Sequence, residues 1–242
     1  MATTRLRFLD LSSVQTAHVD FDKVKADGYD AVVLKATEGS HYVDPTFDQN
    51  CHRAKVAGLI VGAYMFLTTG SAVSDQVALF VGTAVGKADF YALDFESPPP
   101  EQWAPPNTGE ALTQRALDAT NLLRQATGTR ALILVYSYPY FVHSLPKTPT
   151  LTLLAEYPLW IASYKDEKHE PGDHDQPVVP LPWTTWLAWQ WSGNNGSAAP
   201  GVPCVVDHNV ANMTPAEFQV LVLKPLEEID DEVTEPGVPP VT

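Results

Sequence analysis

Short apolar segments alternate with segments of helical periodicity along most of the chain, and this alternation limits the fold more than any other feature. Strands are predicted at residues 7–11, 31–37, 59–67, 90–96, 130–138, 159–164, 186–191 and 204–207, and helices at residues 21–26, 45–57, 71–85 and 108–126. The order indicates five βα-like units followed by three strands joined by loops. Near-continuous apolar strands that alternate with helices are typical of a parallel sheet covered by helices. Eight strands in 242 residues fit a closed α/β barrel better than an open sheet.

The alternation of predicted strands and helices extends over most of the chain and ends before the C-terminal segment. With 45% hydrophobic residues, the chain has enough apolar material for one large core. From about residue 227 the sequence becomes acidic, rich in proline and short of apolar residues. Segments of this composition do not bury enough apolar surface to fold. We therefore expect one catalytic barrel over residues 1–226 and a disordered tail over residues 227–242.

Charge and motif content exclude several classes of protein. A formal net charge of −14 is the opposite of the basic face that binds nucleic acid, so no nucleic-acid partner is expected. The two cysteines, Cys51 and Cys204, lack zinc or disulfide-scaffold spacing. Residues 165–175 mix histidine and aspartate without regular ligand spacing, which favours a solvated loop over a metal site. We expect no cofactor, no metal and no membrane span, and we expect a monomer without an N-terminal signal peptide.

Carboxylates follow or end several of the predicted strands. Asp10 ends the first strand, Asp94 and Glu96 end the fourth, and Asp207 ends the last. Active sites of α/β barrels lie at the carboxyl ends of the strands, and the first and last strands are neighbours in a closed barrel. Residues i and i+2 of a strand point to the same face, so Asp94 and Glu96 project together. Two close carboxyl groups raise at least one pKa, as a glycosidase requires for its acid.

The same acidic pair has a simpler interpretation. A strand that ends in Asp-Phe-Glu often just faces solvent or pairs with lysine or arginine, and the motif alone is weak. Aromatic residues near the predicted strand ends add a second signal, because sugar rings stack on them; they are Tyr64, Phe66, Tyr136, Tyr138, Tyr164, Trp189 and Trp191. A core role is the alternative for each. The 186–191 strand has two faces, and the pattern does not say which one meets the barrel interior.

Eight strings along the chain resemble glycoside hydrolase family 25, the lysozyme-like muramidases, in the order found in that family. They are FLDLSS, VVLKATEG with YVDPTFDQN behind it, AKVAGLIVGAYMF, ALDFE, LILVYS, LWIASY, WQWSG and VVDHNV. The resemblance covers about residues 7–212. It implies a modified TIM-like barrel, flattened and of the form (β/α)5(β)3. It also implies cleavage of the β-1,4 bond between N-acetylmuramic acid and N-acetylglucosamine in peptidoglycan, with net retention.

Roles for individual residues follow from the resemblance. Glu96 corresponds to the general acid, and Asp94 to a partner carboxylate that positions or assists the acetamido group of the substrate. Asp10 and Asp207 resemble the further acidic residues that line the groove. Tyr64, Tyr136 and Trp189 resemble aromatic residues that contact the substrate or shape the site.

Two other functions stay open on the sequence. One is a barrel that binds glycan without turnover, for example a structural part of a virion; the four carboxylates count against it. The other is a glycosidase that acts on a different N-acetylated glycan. We expect action on the bacterial cell wall, either as a phage lysin or as a secreted enzyme whose signal has been removed.

Overall fold

The computed structural model describes residues 4–15, 19–99, 108–193 and 196–222. Within these residues the strands are β1 (Arg7–Leu11), β2 (Ala31–Glu38), β3 (Tyr42–Val43), β4 (Ile60–Phe66), β5 (Phe90–Asp94), β6 (Ile133–Ser137), β7 (Leu159–Ala162), β8 (Ala188–Ser192) and β9 (Asp207–Ala211). The helices are α1 (Phe21–Ala26), α2 (Phe47–Val56), α3 (Val73–Ala84), α4 (Gly109–Thr127), α5 (Pro139–Ser144), α6 (Pro149–Leu154) and α7 (Pro215–Val222). The tail predicted at residues 227–242 lies outside the described residues.

The sheet closes into a barrel of eight strands, which confirms the predicted fold class. The strand order is β1-β9-β8-β7-β6-β5-β4-β2, and a further β1–β2 pairing closes the ring. Strand β9 is antiparallel to both of its neighbours, and the other barrel pairings are parallel. The two-residue strand β3 forms a hairpin with β2 outside the ring.

Helices follow the first five parallel strands; those after the first four were predicted, and those after β6 were not. Helix α1 follows β1, α2 follows β2 and its hairpin, α3 follows β4, α4 follows β5, and the short α5 and α6 follow β6. Between β7, β8 and β9 the described residues contain loops only. In the described residues, no helix is both long enough and apolar enough to cross a bilayer.

Two apolar clusters lie on the two faces of the barrel wall. The larger cluster lies between the wall and the helices, and includes Leu9, Val32 and Leu93. The smaller one fills the barrel interior and includes Phe8, Val33, Phe90 and Trp160. Successive residues of a strand point to opposite faces, so each strand supplies both clusters in turn. The lower end of the barrel is filled by Phe218 of α7, whose ring meets that of Phe90 edge-on at 5.3 Å.

The last strand differs from its prediction. The apolar run at residues 204–207 was predicted as the strand, but β9 is Asp207–Ala211. Asp207 therefore begins the strand instead of ending it. Because β9 runs antiparallel to β1, its first residue still lies at the carboxyl end of the barrel, directly opposite Asp10. Asp207 therefore lies at the predicted end of the barrel, although it is the first residue of its strand and not the last.

Candidate active site

A cavity of about 110 Å³ opens at the carboxyl end of the barrel. Its lining is acidic, aromatic and amide-bearing, and consists of Asp10, Tyr64, Asp94, Glu96, Tyr136, Trp160, Gln190 and Asp207. Six of the seven predicted site residues are in this lining. The sequence-based interpretation that the four carboxylates meet at one mouth agrees with this geometry.

The strand register explains why these side chains converge. Asp10 lies two residues after Phe8 on β1, and Asp94 two residues after Ala92 on β5, so both continue the row that faces the barrel interior. In the sheet, Asp94 pairs with Tyr136 of β6. Parallel strands that end at one level thus place inward side chains from different parts of the chain around a single cavity.

Asp94 and Glu96 form a hydrogen-bonded carboxyl pair. Burial raises the pKa of Asp94 well above its ordinary value, and the neighbouring charge of Glu96 raises it further. Burial also raises the pKa of Glu96, although the hydrogen bond with Asp94 and the charge of Lys35 oppose the rise. Two buried carboxylates in contact do not both ionise readily, so the pair holds one shared proton above the pH at which an ordinary carboxyl group has lost it.

One oxygen of the pair receives no hydrogen bond from an N–H or hydroxyl donor. Asp94 Oδ1 is fully buried and, among the described residues, no such donor reaches it. A buried acceptor without a donor costs free energy, and the cost is greatest for the ionised carboxylate, which agrees with the raised pKa of Asp94.

Asp10 and Asp207 form a second hydrogen-bonded pair within the same cavity. Burial raises the pKa of Asp10 well above its ordinary value, and the charge of Asp207 adds to the rise. Burial is also the main cause that raises the pKa of Asp207 to about 6. The cavity thus holds two proton-sharing carboxyl pairs, one supplied by β5 and the residues after it, the other by β1 and β9.

Neutral amides hold Asp10 in a fixed orientation. Asn209 Nδ2 donates to Asp10 Oδ2 at 2.7 Å, and Gln190 Nε2 donates to the same oxygen at 3.1 Å. Asn209 is itself oriented by Trp160, whose Nε1 donates to Asn209 Oδ1 at 2.8 Å. Tyr136 donates its hydroxyl to Gln190 Oε1 at 2.9 Å. Because both amides bond to one oxygen, the other oxygen of Asp10 is left for Asp207 and for ligands.

Gln190, Asn209 and Trp160 were not predicted as site residues. For Asn209 a signal existed, since it lies two residues after Asp207 and so shares its face of the strand. For Gln190 the alternation in the 186–191 strand left two possible faces. In the structure the side chain of Gln190 points into the cavity. The residues on either side of it in β8 therefore point outward.

Trp189 is the one predicted site residue that the structure does not bring to the cavity. Its side chain lies on the outer face of the barrel and is 3% exposed. Its Nε1 donates to the carbonyl oxygen of Ser163 at 2.8 Å, and its ring meets that of Trp186 at 6.0 Å. Strand alternation is the reason: Gln190 faces inward, so Trp189 faces outward. In this structure Trp189 supports the wall behind the site.

Tyr64 and Tyr136 are placed as predicted, with their side chains toward the cavity. Burial raises the pKa of both hydroxyls well above the ordinary value, and nearby carboxylates add to it. Both hydroxyls therefore stay protonated; that of Tyr136 donates to Gln190, and that of Tyr64 is available as a hydrogen-bond donor. Among the described residues, no cluster of three or more histidine, cysteine or acidic side chains has the geometry to hold a metal ion.

The fold and the site define a class: a helix-covered β-barrel whose mouth holds paired carboxyl groups, the arrangement used to hydrolyse glycosidic bonds. The sequence model of the glycosyl hydrolases of family 25 matches residues 9–201, and the chain belongs to this family.

Known relatives agree with this assignment. The uncharacterized protein YegX of Escherichia coli K12 is 29% identical over 190 residues, which cover 78% of this chain and 61% of YegX. The chain therefore spans about three fifths of that relative. Lysozyme M1 of Streptomyces globisporus is 27% identical over 230 residues, 90% of this chain and 72% of the lysozyme. Among solved structures, a bacterial lysozyme from Streptomyces coelicolor superimposes with a TM-score of 0.76 at 25% identity, covering 92% of this chain and 99% of that protein.

Proposed function

We propose that this chain is a muramidase, which hydrolyses the β-1,4 bond between N-acetylmuramic acid and N-acetylglucosamine in bacterial peptidoglycan with net retention. The observation that carries the proposal is the meeting of Asp94 and Glu96 with Asp10 and Asp207 in one cavity at the mouth of the barrel. Similar proteins named as lysozymes, including Lysozyme M1, support the substrate class.

Glu96 is the proposed general acid. It is the less buried member of its pair and lies at the open side of the cavity, where a leaving oxygen has access. Its carboxyl proton passes to the glycosidic oxygen as the bond from that oxygen to C1 of the muramic acid breaks. The resulting carboxylate then takes a proton from the water that completes hydrolysis, which regenerates the acid.

Asp94 is the proposed assisting carboxylate. Its carboxylate accepts the N–H of the substrate's acetamido group, which turns the acetamido carbonyl oxygen toward C1. That oxygen bonds to C1 as the leaving group departs, and water later replaces it. Two displacements at C1 give net retention, and participation of the substrate is a known variation on the two-carboxylate scheme.

The remaining predicted residues take binding roles in the proposal. Asp10 and Asp207 face the pair across the cavity and stabilise the positive charge that develops on the sugar ring. Tyr64 supplies a hydroxyl donor to the sugar, and the hydroxyl oxygen and ring of Tyr136 contact it while its proton stays on Gln190. Trp189 contributes indirectly, through the wall that carries Gln190.

The test is the release of soluble fragments from purified peptidoglycan, with reducing ends identified by mass spectrometry. The wild type should release fragments that end in muramic acid, and Glu96→Gln should release essentially none while keeping its fold by circular dichroism. Glu110→Gln, which alters an exposed glutamate of α4, is the matched control and should keep full activity. Sedimentation of the wild type onto several wall types without any release would favour a glycan-binding barrel instead.

A further inference from the structure

A second cavity adjoins the acidic one and shares Glu96 with it. Its volume is about 260 Å³, and it lies at the carboxyl ends of β4 and β5, between the segments that follow these strands and helix α4. Pockets that hold a whole drug-sized ligand are typically larger, at roughly 300–1,000 Å³. A volume of this size suits a substituent carried by a sugar that is already bound in the acidic cavity.

One wall of this second cavity is apolar. Phe66, Phe95 and Leu112 contribute to it, and two prolines, Pro98 and Pro99, continue it toward the opening. Such a wall favours methyl and methylene groups over sugar hydroxyls, because burial of apolar surface is favourable and burial of an unpaired hydroxyl is not.

Arg115 lies in the lining of the same cavity. Its Nη2 donates to the carbonyl oxygens of Thr68 and Ser71 at 2.7 and 2.6 Å. No carboxylate of the described residues lies within the 4.0 Å of an ion pair with it, and its Nε has no hydrogen-bond partner there. In a chain with a net charge of −14, a partly buried guanidinium held only by neutral carbonyls is available to an anion.

The two acidic residues at this cavity do not cancel that charge. Glu38 accepts a hydrogen bond from Lys35 Nζ at 2.6 Å and is neutralised by it. Glu96 belongs to the proton-sharing pair with Asp94. The cavity therefore combines an apolar wall, a shared boundary with the proposed acid, and a guanidinium whose hydrogen bonds go to neutral carbonyls and on which the charge of Asp118 acts from beyond ion-pair distance.

We infer that this cavity receives the 3-O-lactyl arm of muramic acid and the first two residues of the peptide attached to it. The methyl groups of the lactyl unit and of the first alanine contact the apolar wall, and Arg115 binds the free carboxylate of the acidic second residue. The inference rests on the proposed function and deepens it. A glycan built only of N-acetylglucosamine carries no such arm, so the cavity would also discriminate peptidoglycan from chitin.

The experiment compares two soluble peptidoglycan oligomers that differ only in whether the carboxylate of the second peptide residue is free or amidated. The wild type should show a kcat/KM about tenfold higher on the free acid, the size of one charge-assisted hydrogen bond. Arg115→Gln should bring the two values together through a loss on the free acid alone, and Arg115→Lys should restore part of the preference.

Arg124→Gln is the matched control, since Arg124 is also on α4 and also donates to a backbone carbonyl, that of Thr129, away from this cavity. It should keep the wild-type preference. Equal rates of the wild type on both oligomers would overturn the inference without any variant, and so would an unchanged preference in folded Arg115→Gln. Failure of the wild type to cleave either oligomer would instead refute the proposed function, which separates the two results.

Discussion

Replacement of Asp207 by asparagine should make the protein more stable at neutral pH but not at acidic pH. Asp207 is the partner of Asp10 at the mouth of the barrel, and burial raises its pKa from an ordinary 3.8 to about 6. A carboxyl group with a raised pKa binds its proton more tightly in the folded than in the unfolded protein. The free energy of unfolding therefore falls as pH rises through the interval from about 4 to about 6.

The magnitude follows from that interval. Each unit of pKa difference is worth about 1.4 kcal/mol, so ionisation of Asp207 costs the folded protein about 3 kcal/mol above pH 6. Water at the open side of the cavity screens the charge of Asp207, so about 3 kcal/mol is an upper limit on the cost of its ionisation. Asparagine has nearly the shape of the protonated side chain and carries no charge, so the variant avoids the cost.

The assay is urea denaturation of wild type and Asp207→Asn at pH 3.5 and pH 7.5, with Asp118→Asn as an exposed control on α4. The wild type and Asp207→Asn should have similar free energies of unfolding at pH 3.5. At pH 7.5 the free energy of unfolding of Asp207→Asn should exceed that of the wild type by up to about 3 kcal/mol. An equal difference at both pH values, or a variant less stable at pH 7.5, would refute the argument that buried charge sets this cost.

Three further outcomes are expected. Gly62→Ala should lose about 1–3 kcal/mol of stability by thermal or urea unfolding, because its new Cβ would lie 2.5 Å from the ring of Phe90; Gly82→Ala, with nothing within 4 Å, is its control and should be neutral or slightly stabilising. Trp189→Phe should cost about 1 kcal/mol through its lost hydrogen bond and leave KM nearly unchanged, whereas a large rise in KM would place this residue at the substrate. Hydrolysis should decline as pH rises through the raised pKa of Glu96, because the proposed acid must hold its proton; a profile flat from acid to alkaline pH would contradict that role.

The barrel was predictable because most of its strands carry nearly continuous apolar runs. Strands such as β4 and β6 are buried on both faces, so their sequences contain few polar residues that could be mistaken for a loop. Helices α5 and α6 were missed, since each has six residues and shows too little of the 3.6-residue period. Their initial prolines, Pro139 and Pro149, are the only clear sequence signal.

The errors at the site have one physical origin. Strand β9 carries Asp207, His208 and Asn209, and three polar residues in succession are typical of a turn in a sequence considered alone. His208 and Asn209 are buried here, and Asp207 is half-buried, because the barrel mouth and the outer wall both supply hydrogen-bond partners. The choice between Gln190 and Trp189 likewise depends on which face of β8 meets the acidic cavity, and that is decided by neighbouring strands.

The pairing of Asp10 with Asp207 has a consequence for how the protein acquires its activity. These residues are separated by nearly the whole described chain, yet β1 and β9 lie side by side. Contacts between distant segments form slowly, because closing a long loop costs conformational entropy before any stabilising contact forms. During synthesis the ring can close only after β9 has been made. A partial chain that lacks β9 therefore never brings the four carboxyl groups together. Recovery of hydrolysis during refolding should therefore coincide with the last step of barrel closure, and lag behind the appearance of secondary structure.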